Sequence, residues 1–372
     1  MKLTEIELHN FRNYVDQTLK FSDGINVFLG ENAQGKTNLL EAIYVLALTR
    51  SHRTNNEKEL INWQSQTAQI KGRLQKRLGA VPVELDLGPK GKRAKVNHLE
   101  QAKLSSYIGQ LNVILFAPED LSIVKGAPQV RRRFMDMEFA QMSNRYLYNS
   151  TQYKKILKQR NRYLKDLHHR KQSDRVYLDV LSDQLSAYGA EIIFQRLQLL
   201  KKLEKFAQRI HSEISQGKEQ LGFEYRTAVE ADQFGSVESI YQSLLKHFAK
   251  IKDKEILRST TLIGPQRDDL HFVINGKEVQ SFGSQGQQRT TALSVKLAEI
   301  DLMKEQTDEY PILLLDDVLS ELDDFRQTHL LTAIQDKVQT FLTTTSLSGV
   351  QQELLTNPRI FRISEGNVTL EK

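Results

Sequence analysis

A chain of 372 residues, 39% hydrophobic and 26% charged with a formal net charge of +6, can bury one large core with an appendage or two medium cores, and its composition is that of an ordinary soluble protein. The absence of cysteine excludes a disulfide scaffold and a thiolate metal site, and it suits a reducing cytoplasm. The first residues carry acids where a signal peptide needs an apolar run, and apolar runs such as Ile312-Leu313-Leu314-Leu315 are too short to cross a bilayer, so a cytoplasmic protein with no membrane partner is expected.

Along the chain, residues 3–11 and 24–30 read as strands and residues 36–48 as a helix. Between strand and helix lies Gly30-Glu31-Asn32-Ala33-Gln34-Gly35-Lys36-Thr37, which matches G-x-x-x-x-G-K-[ST]. Glycines there let backbone amides converge on phosphate oxygens, and the helix N-terminus adds partial positive charge. Lys36 would reach the β- and γ-phosphates of ATP, and the Thr37 hydroxyl would ligate Mg2+. The bland alternative is a glycine turn, but the apolar strand leading in and the amphipathic helix leading out are the context the motif requires.

Strand-like runs follow at 69–74, 81–87 and 112–116, and Ala117-Pro118-Glu119-Asp120 breaks the pattern ahead of a helix. From Arg131 to Lys171, twelve Lys and Arg stand against three acids, an excess larger than the charge of the whole chain. Such a stripe is the footprint expected of a polyanion partner such as a nucleic acid, with Arg131, Arg132, Arg133, Lys154, Lys155, Lys158 and Arg162 as candidate contacts. A solvated helix face, or anchoring of the arginine triplet by acidic partners, is the competing reading. Leu178, Leu185, Ile192, Leu199 and Phe206 recur every seven residues and form one helical stripe, which with the helical pattern before the polar turn at 169–174 predicts a short two-helix hairpin arm.

The last third returns to strands and helices. Asn275-Gly276 between two apolar runs predicts a type I′ hairpin. Ser284-Gln285-Gly286-Gln287-Gln288 opens a helix and offers a hydroxyl, a glycine amide and a helix N-terminus as a second anion-binding surface, although a serine N-cap explains it equally. Some thirty residues on, a buried strand ends in Asp316-Asp317. Asp316 would hold Mg2+ and Asp317 would orient or deprotonate the attacking water; a solvated turn is the alternative.

This order of parts resembles the ABC-type ATPase head, in which the signature loop of one protomer closes on the nucleotide of another. In transporter ATPases that loop follows the P-loop by on the order of a hundred residues. Here the two lie at opposite ends of the chain with a helical arm between them, as in the split heads of SMC proteins, whose arms are much longer. The chain is most similar to the RecF family. The resemblance is carried by Asn10-Phe11-Arg12-Asn13-Tyr14, the P-loop through Asn38, Phe116-Ala117-Pro118-Glu119-Asp120-Leu121, Lys125-Gly126-Ala127-Pro128 and Arg131-Arg132-Arg133-Phe134-Met135-Asp136. Gly264-Pro265-Gln266-Arg267-Asp268-Asp269-Leu270, Ser284 to Arg289 and Leu315 to Asp323 complete it.

The resemblance implies an α/β, ABC-type P-loop head in split N- and C-terminal parts (1–127 and 256–372) with an inserted helical arm over 128–216, with room to extend to about residue 255. It implies dimerisation on ATP, binding of single-stranded and gapped DNA, and action with RecO and RecR to load RecA, serving gap repair, replication restart and SOS induction. It assigns Arg12 and residues Gly30, Glu31, Asn32, Ala33, Gln34, Gly35, Lys36, Thr37 and Asn38 to the nucleotide, with Ser284, Gln285, Gly286 and Gln287 added from the second protomer. Lys36 and Asp317 would be catalytic, with Thr37 and Asp316 on Mg2+. Two positions depart from pattern: Gln266 stands where the family has histidine, and Thr343-Thr344-Thr345 replaces the transporter histidine. Asp317 is one methylene shorter than the transporter glutamate, which favours slow turnover and a switch over a motor. A transporter ATPase subunit and an SMC-like structural protein are the alternatives, opposed respectively by the spacing and by the short arm.

Overall fold

The computed structural model describes residues 1–169, 174–335, 337–346 and 357–371. It divides into two compact units, Met1–Asp120 with Ala292–Lys372, and Leu121–Thr291. The first unit opens with β1 (Lys2–Phe11), β2 (Tyr14–Lys20), β3 (Ile25–Leu29) and α1 (Lys36–Leu48). It continues through β4 (Ala68–Lys76), β5 (Gly79–Gly88), β6 (Gly91–Val96), β7 (Leu99–Glu100), α2 (Leu104–Tyr107) and β8 (Val113–Phe116). Strands β1, β2 and β4 to β7 form an antiparallel sheet in the order β2-β1-β4-β5-β6-β7. Its β1 alternates buried Ile6 and Leu8 with half-exposed Glu5 and Glu7, the period of a sheet with one covered face.

The second unit holds α3 (Leu121–Lys125), α4 (Pro128–Met142), α5 (Asn144–His168), α6 (Arg175–Ile214), β9 (Leu221–Arg226), α7 (Val237–Arg258), β10 (Asp269–Ile274), β11 (Lys277–Glu278) and α8 (Val279–Phe282). The heptad stripe is the inner face of α6: Leu178, Leu185, Ile192 and Leu199 are buried. The tip residues 170–173 of the expected polar turn lie outside the described residues. The β10–β11 turn runs through Asn275 and Gly276 at φ 51° and 76°, as a type I′ hairpin requires.

The arm differs from the expected hairpin in two respects. A third long helix, α7, packs on α5 and α6, and the unit extends from Leu121 to Thr291 and so takes in β9, β10 and β11. The expected boundaries at 127, 216 and 256 are corrected accordingly, and Ser284 belongs to this unit. The physical reason is a buried polar network no local pattern reports. Arg196 of α6 donates to Tyr146 Oη at 2.9 Å, Asp136 Oδ1 at 2.9 Å and the Pro265 carbonyl at 2.8 Å, while Tyr225 Oη donates to Asp268 Oδ2 at 2.6 Å. The Gly264-Pro265-Gln266-Arg267-Asp268-Asp269 run is thereby tied to the arm helices. Gln266 accepts from Tyr153 Oη of α5 and donates to the Ile263 carbonyl, so it adds a further tie between this loop and the arm.

The division between units falls within α9 (Gln285–Thr307), after which β12 (Ile312–Asp316), α10 (Asp324–Ile334), β13 (Thr340–Thr344), β14 (Arg359–Ser364) and β15 (Asn367–Leu370) complete the first unit. A second sheet in the order β15-β14-β3-β13-β12-β8 is parallel except at β15. Its core strands are buried along nearly their whole length, apolar in β3 and β12 and threonine-rich in β13, as in a sheet covered on both faces.

In the arm, Arg160 and Glu255 are both fully buried and paired at 2.6 Å, with Arg160 also donating to Ser182 and Thr261 and lying 4.5 Å from the Phe248 ring. Breaking a buried pair from one side leaves an uncompensated charge. Glu255→Ala is therefore expected to cost about 3–5 kcal/mol, read as a lowered urea midpoint of the helical unit; an unchanged midpoint refutes the pair's role.

Candidate nucleotide site and charged surface

Strand register builds the site. Leu29 at the end of β3 pairs with Thr344 of β13, and Thr343 pairs with Asp316 of β12, so three neighbouring parallel strands end together. The carboxyl ends of parallel strands are where α/β sheets place their ligands. The P-loop leaves β3 here: Gly30 N donates to the Thr344 carbonyl at 3.3 Å, and a Cβ on Gly30 would stand 2.4 Å from the Ile363 carbonyl oxygen. At Gly35, φ is 118° and a Cβ would meet Asn13 Nδ2 at 2.6 Å and Tyr14 Oη at 2.9 Å. Both positions therefore exclude a side chain. Gln34 is fixed from the far end of the chain, its Oε1 accepting from Glu365 N at 2.6 Å and its carbonyl from Gly366 N at 3.1 Å. The first turn of α1 carries no acid to compete for its free amides.

Lys36 folds back over the loop, its Nζ donating to the carbonyls of Gly30 at 2.5 Å and Glu31 at 2.9 Å. Burial draws its pKa down, opposed by the nearby carboxylates of Asp317 and Asp316. Thr37 Oγ1 donates to Asp316 Oδ1 at 3.1 Å, and Thr343 Oγ1 donates to the same oxygen at 2.9 Å. Thr343 Oγ1 in turn accepts from Asp317 N at 2.9 Å, which holds Asp317 at φ 56°. The structure thus brings Lys36, Thr37, Asp316 and Asp317 to one place. A hydroxyl beside a carboxylate is the hard-oxygen donor set that suits magnesium, and the loop amides suit a polyphosphate.

Several participants escaped the sequence reading. Glu41, fully buried in α1, accepts two 2.9 Å bonds from Arg12, one from Ser51 Oγ, and lies 3.6 Å from Arg53 Nη1. Its signal was a lone acid among apolar helix positions, which implies a partner. Arg53 also donates at 2.8 Å to Asn38, an expected site residue, which in turn donates to Asn13 at 2.8 Å. Thr343, which stands in place of the transporter histidine, uses its hydroxyl to bridge Asp316 and the Asp317 amide.

In the second unit, the serine N-cap reading of Ser284 holds and leaves room for an anion contact. Ser284 Oγ accepts from Gln287 N at 3.2 Å while Ser284 N donates to Gln287 Oε1 at 2.8 Å, a reciprocal capping box. The hydroxyl accepts in that bond, so its proton can still be donated to an anion. Ser284 and Gln285 are exposed, with Gly286 and Gln287 half-buried behind them.

The basic stripe needs correction. Arg131 is 2% exposed and forks onto Asp269, Nε to Oδ1 and Nη2 to Oδ2 at 2.8 Å each, with Nη1 on the Gly126 carbonyl. It is no phosphate contact but an internal tie. Arg132 is half-buried and donates to the Asp268 carbonyl at 2.8 Å, whereas Arg133 is exposed. Lys154 is exposed but paired with Asp136 at 2.9 Å; burial pushes that carboxyl up, yet Arg196 and Lys154 together bring it down to about 2. Lys155, Lys158 and Arg162 are exposed on α5. Lys154, Lys158, Arg162 and Lys165 line a groove of about 500 Å³ with Leu157 and Asn161.

Comparison with known proteins agrees with this geometry. Residues 2–367 match the family model described as RecF/RecN/SMC N terminal domain. A DNA replication and repair protein RecF from Pediococcus pentosaceus is 65% identical over 98% of both chains. The chain belongs to the RecF family. Another RecF, from Limosilactobacillus reuteri, is 62% identical over the full length of both chains. Among solved structures, the recombination mediator protein RecF-ATPrS in the RecFOR pathway superposes with a TM-score of 0.93 at 33% identity, covering 100% of this chain and 98% of that one. An Smc head bound to the C-winged helix domain of ScpA, covering 100% of this chain and 97% of that one, gives a TM-score of 0.58 at 14% identity and shows the fold alone, an ABC-type head. RecF membership sets aside the transporter alternative. Among the described residues, no helix is long and apolar enough to cross a membrane.

The contrast between neighbouring arginines is testable. Arg131→Ala is expected to lower stability by about 3–5 kcal/mol, because it strands the Asp269 carboxylate, whereas Arg133→Ala stays within about 0.5 kcal/mol. Thermal melts of the two variants decide it; equal, small shifts would show that Arg131 is not an internal tie.

Proposed function

We propose that this protein is an ATP-gated DNA-binding recombination mediator: it dimerises on ATP, binds single-stranded and gapped DNA, and helps RecO and RecR load RecA. The observation that carries the nucleotide part is the meeting of Lys36, Thr37, Asp316 and Asp317 at the ends of β3 and β12. Family membership and the likeness to a RecF described with ATP in the RecFOR pathway support the nucleotide and the partners.

In this reading Lys36 leaves the Gly30 and Glu31 carbonyls for the β- and γ-phosphates, as loop amides of residues 30–37 and the α1 N-terminus cradle the rest, with Asn38 and Arg12 at the margin. Thr37 and Asp316 would hold Mg2+, which supplies neutralising charge when bound. Asp317 orients the attacking water, and its short side chain makes hydrolysis slow. Ser284 to Gln287 of a second copy donate the serine proton and helix-terminal amides to the γ-phosphate, so the site is complete only in a dimer. The protein then works as a switch, closed on DNA with ATP and released after hydrolysis.

Sedimentation with and without ATP and a gapped duplex tests the whole reading. The wild type should pass from monomer to dimer with ATP. Lys36→Met should stay monomeric because it no longer binds nucleotide, and wild-type ATP affinity in this variant sinks the site assignment. Ser284→Arg should bind ATP normally yet stay monomeric; failure to bind nucleotide as a monomer shows that the loop does not act in trans.

For DNA, the exposed face of α5 replaces the arginine triplet as the surface of choice. Neutralised phosphates release condensed counterions. Replacing Lys155, Lys158 and Arg162 with Ala should make the slope of log affinity against log salt shallower by about 0.9 per lost duplex contact, or about 0.7 on single strands. Binding should weaken equally for all sequences. An unchanged slope in the folded triple variant removes this face from the DNA surface.

A further inference from the structure

Glu41 lies in the middle of α1, just over one turn beyond Thr37, with no exposed surface. A carboxylate so buried must be paired and fully hydrogen-bonded to persist. Its main partner is Arg12, whose Nε donates to Oε2 and Nη2 to Oε1, both at 2.9 Å. Such a fork fixes the plane of the guanidinium as well as its distance. The pair engages Nε and Nη2, and leaves Nη1 outside the fork.

Arg12 is held from its backbone too. Its φ is 53°, a region that side-chain-bearing residues rarely adopt, and its N donates to the Leu60 carbonyl at 2.9 Å while its carbonyl accepts from Asn62 Nδ2 at 2.8 Å. Strain that the surroundings over-determine in this way clusters at functional sites. The two residues that follow touch the P-loop itself, Asn13 Nδ2 donating to the Gln34 carbonyl at 3.4 Å and Tyr14 Oη to the Gly35 carbonyl at 2.9 Å. Ser51 and Arg53 close the other side of the same carboxylate.

We propose that Glu41 is a positioning residue of the nucleotide site: it aims the Arg12 guanidinium so that its Nη1 edge meets the polyphosphate. The proposal rests on the reading of Arg12 as a nucleotide contact. It explains why a charge is kept inside an apolar helix, where a hydrophobic side chain of similar volume would pack at least as stably. Glu41 touches no phosphate in this scheme and acts only through Arg12.

A double-mutant cycle read with a fluorescent ATP analogue tests it. Glu41→Gln and Arg12→Ala should each weaken binding about tenfold, the size of a lost charge-assisted contact. The double variant should bind no worse than Arg12→Ala alone. Losses that multiply, or wild-type affinity in Glu41→Gln, overturn the proposal. Should Glu41→Gln fail to fold, Arg12→Lys serves: it keeps the charge without the fork, and wild-type affinity there overturns the proposal equally. Arg12→Ala at wild-type affinity, with binding abolished in Lys36→Met, sinks the Glu41 role alone. Retained binding in Lys36→Met sinks the site reading beneath it.

Discussion

Oδ1 of Asp316 accepts from Thr37 at 3.1 Å and from Thr343 at 2.9 Å, two hydroxyls that come from distant parts of the chain. That convergence exists because β3, β13 and β12 run parallel in a register that ends them together. Everything chemical in the first unit follows from it. The P-loop springs from one strand end, the acidic pair from another, and the bridging threonine from the strand between. Phe28 of β3 packs against Phe341 of β13 and Phe361 of β14, so a slip in register would cost core packing as well as the site.

The second unit shows how far a count of charges can mislead. The segment from Arg131 to Lys171 is strongly basic when summed, yet Arg131, Arg145 and Arg160 find Asp269, Glu191 and Glu255, all outside it in sequence. Lys154 and Arg196 share Asp136. What survives as a solvent-facing cationic surface is a face of α5, not the arginine triplet. The Arg131 fork onto Asp269 and the Arg196 bond to the Pro265 carbonyl tie helices to the loop at Gly264–Asp269.

Much was legible in advance because it depends on local chemistry. The helix over Lys36–Leu48, the Asn275-Gly276 hairpin and the buried stripe of α6 each follow from a spacing that one short stretch of chain carries by itself. The P-loop was readable for the same reason, since glycines, lysine and threonine must stand at set intervals to wrap a phosphate. Strand β9 and helix α7 were not readable. Strand β9 is defined by pairing with β10 some forty residues on, and α7 by the helices it covers.

The sequence by itself determined that a phosphate loop, a serine-capped helix start and an acidic strand end stand in the order of an ATPase head interrupted by a helical arm. Those features are periods and motifs, and they survive without knowledge of any distant contact. Only the tertiary structure decided which carboxylate meets which cation. It gave Arg131 to Asp269, Arg12 to Glu41 and Thr343 to Asp316, and it moved Ser284 from the expected head into the arm unit. The reason is physical: pairing of charges and hydroxyls is set by burial and by sheet register, and neither is a property of neighbouring residues along the chain.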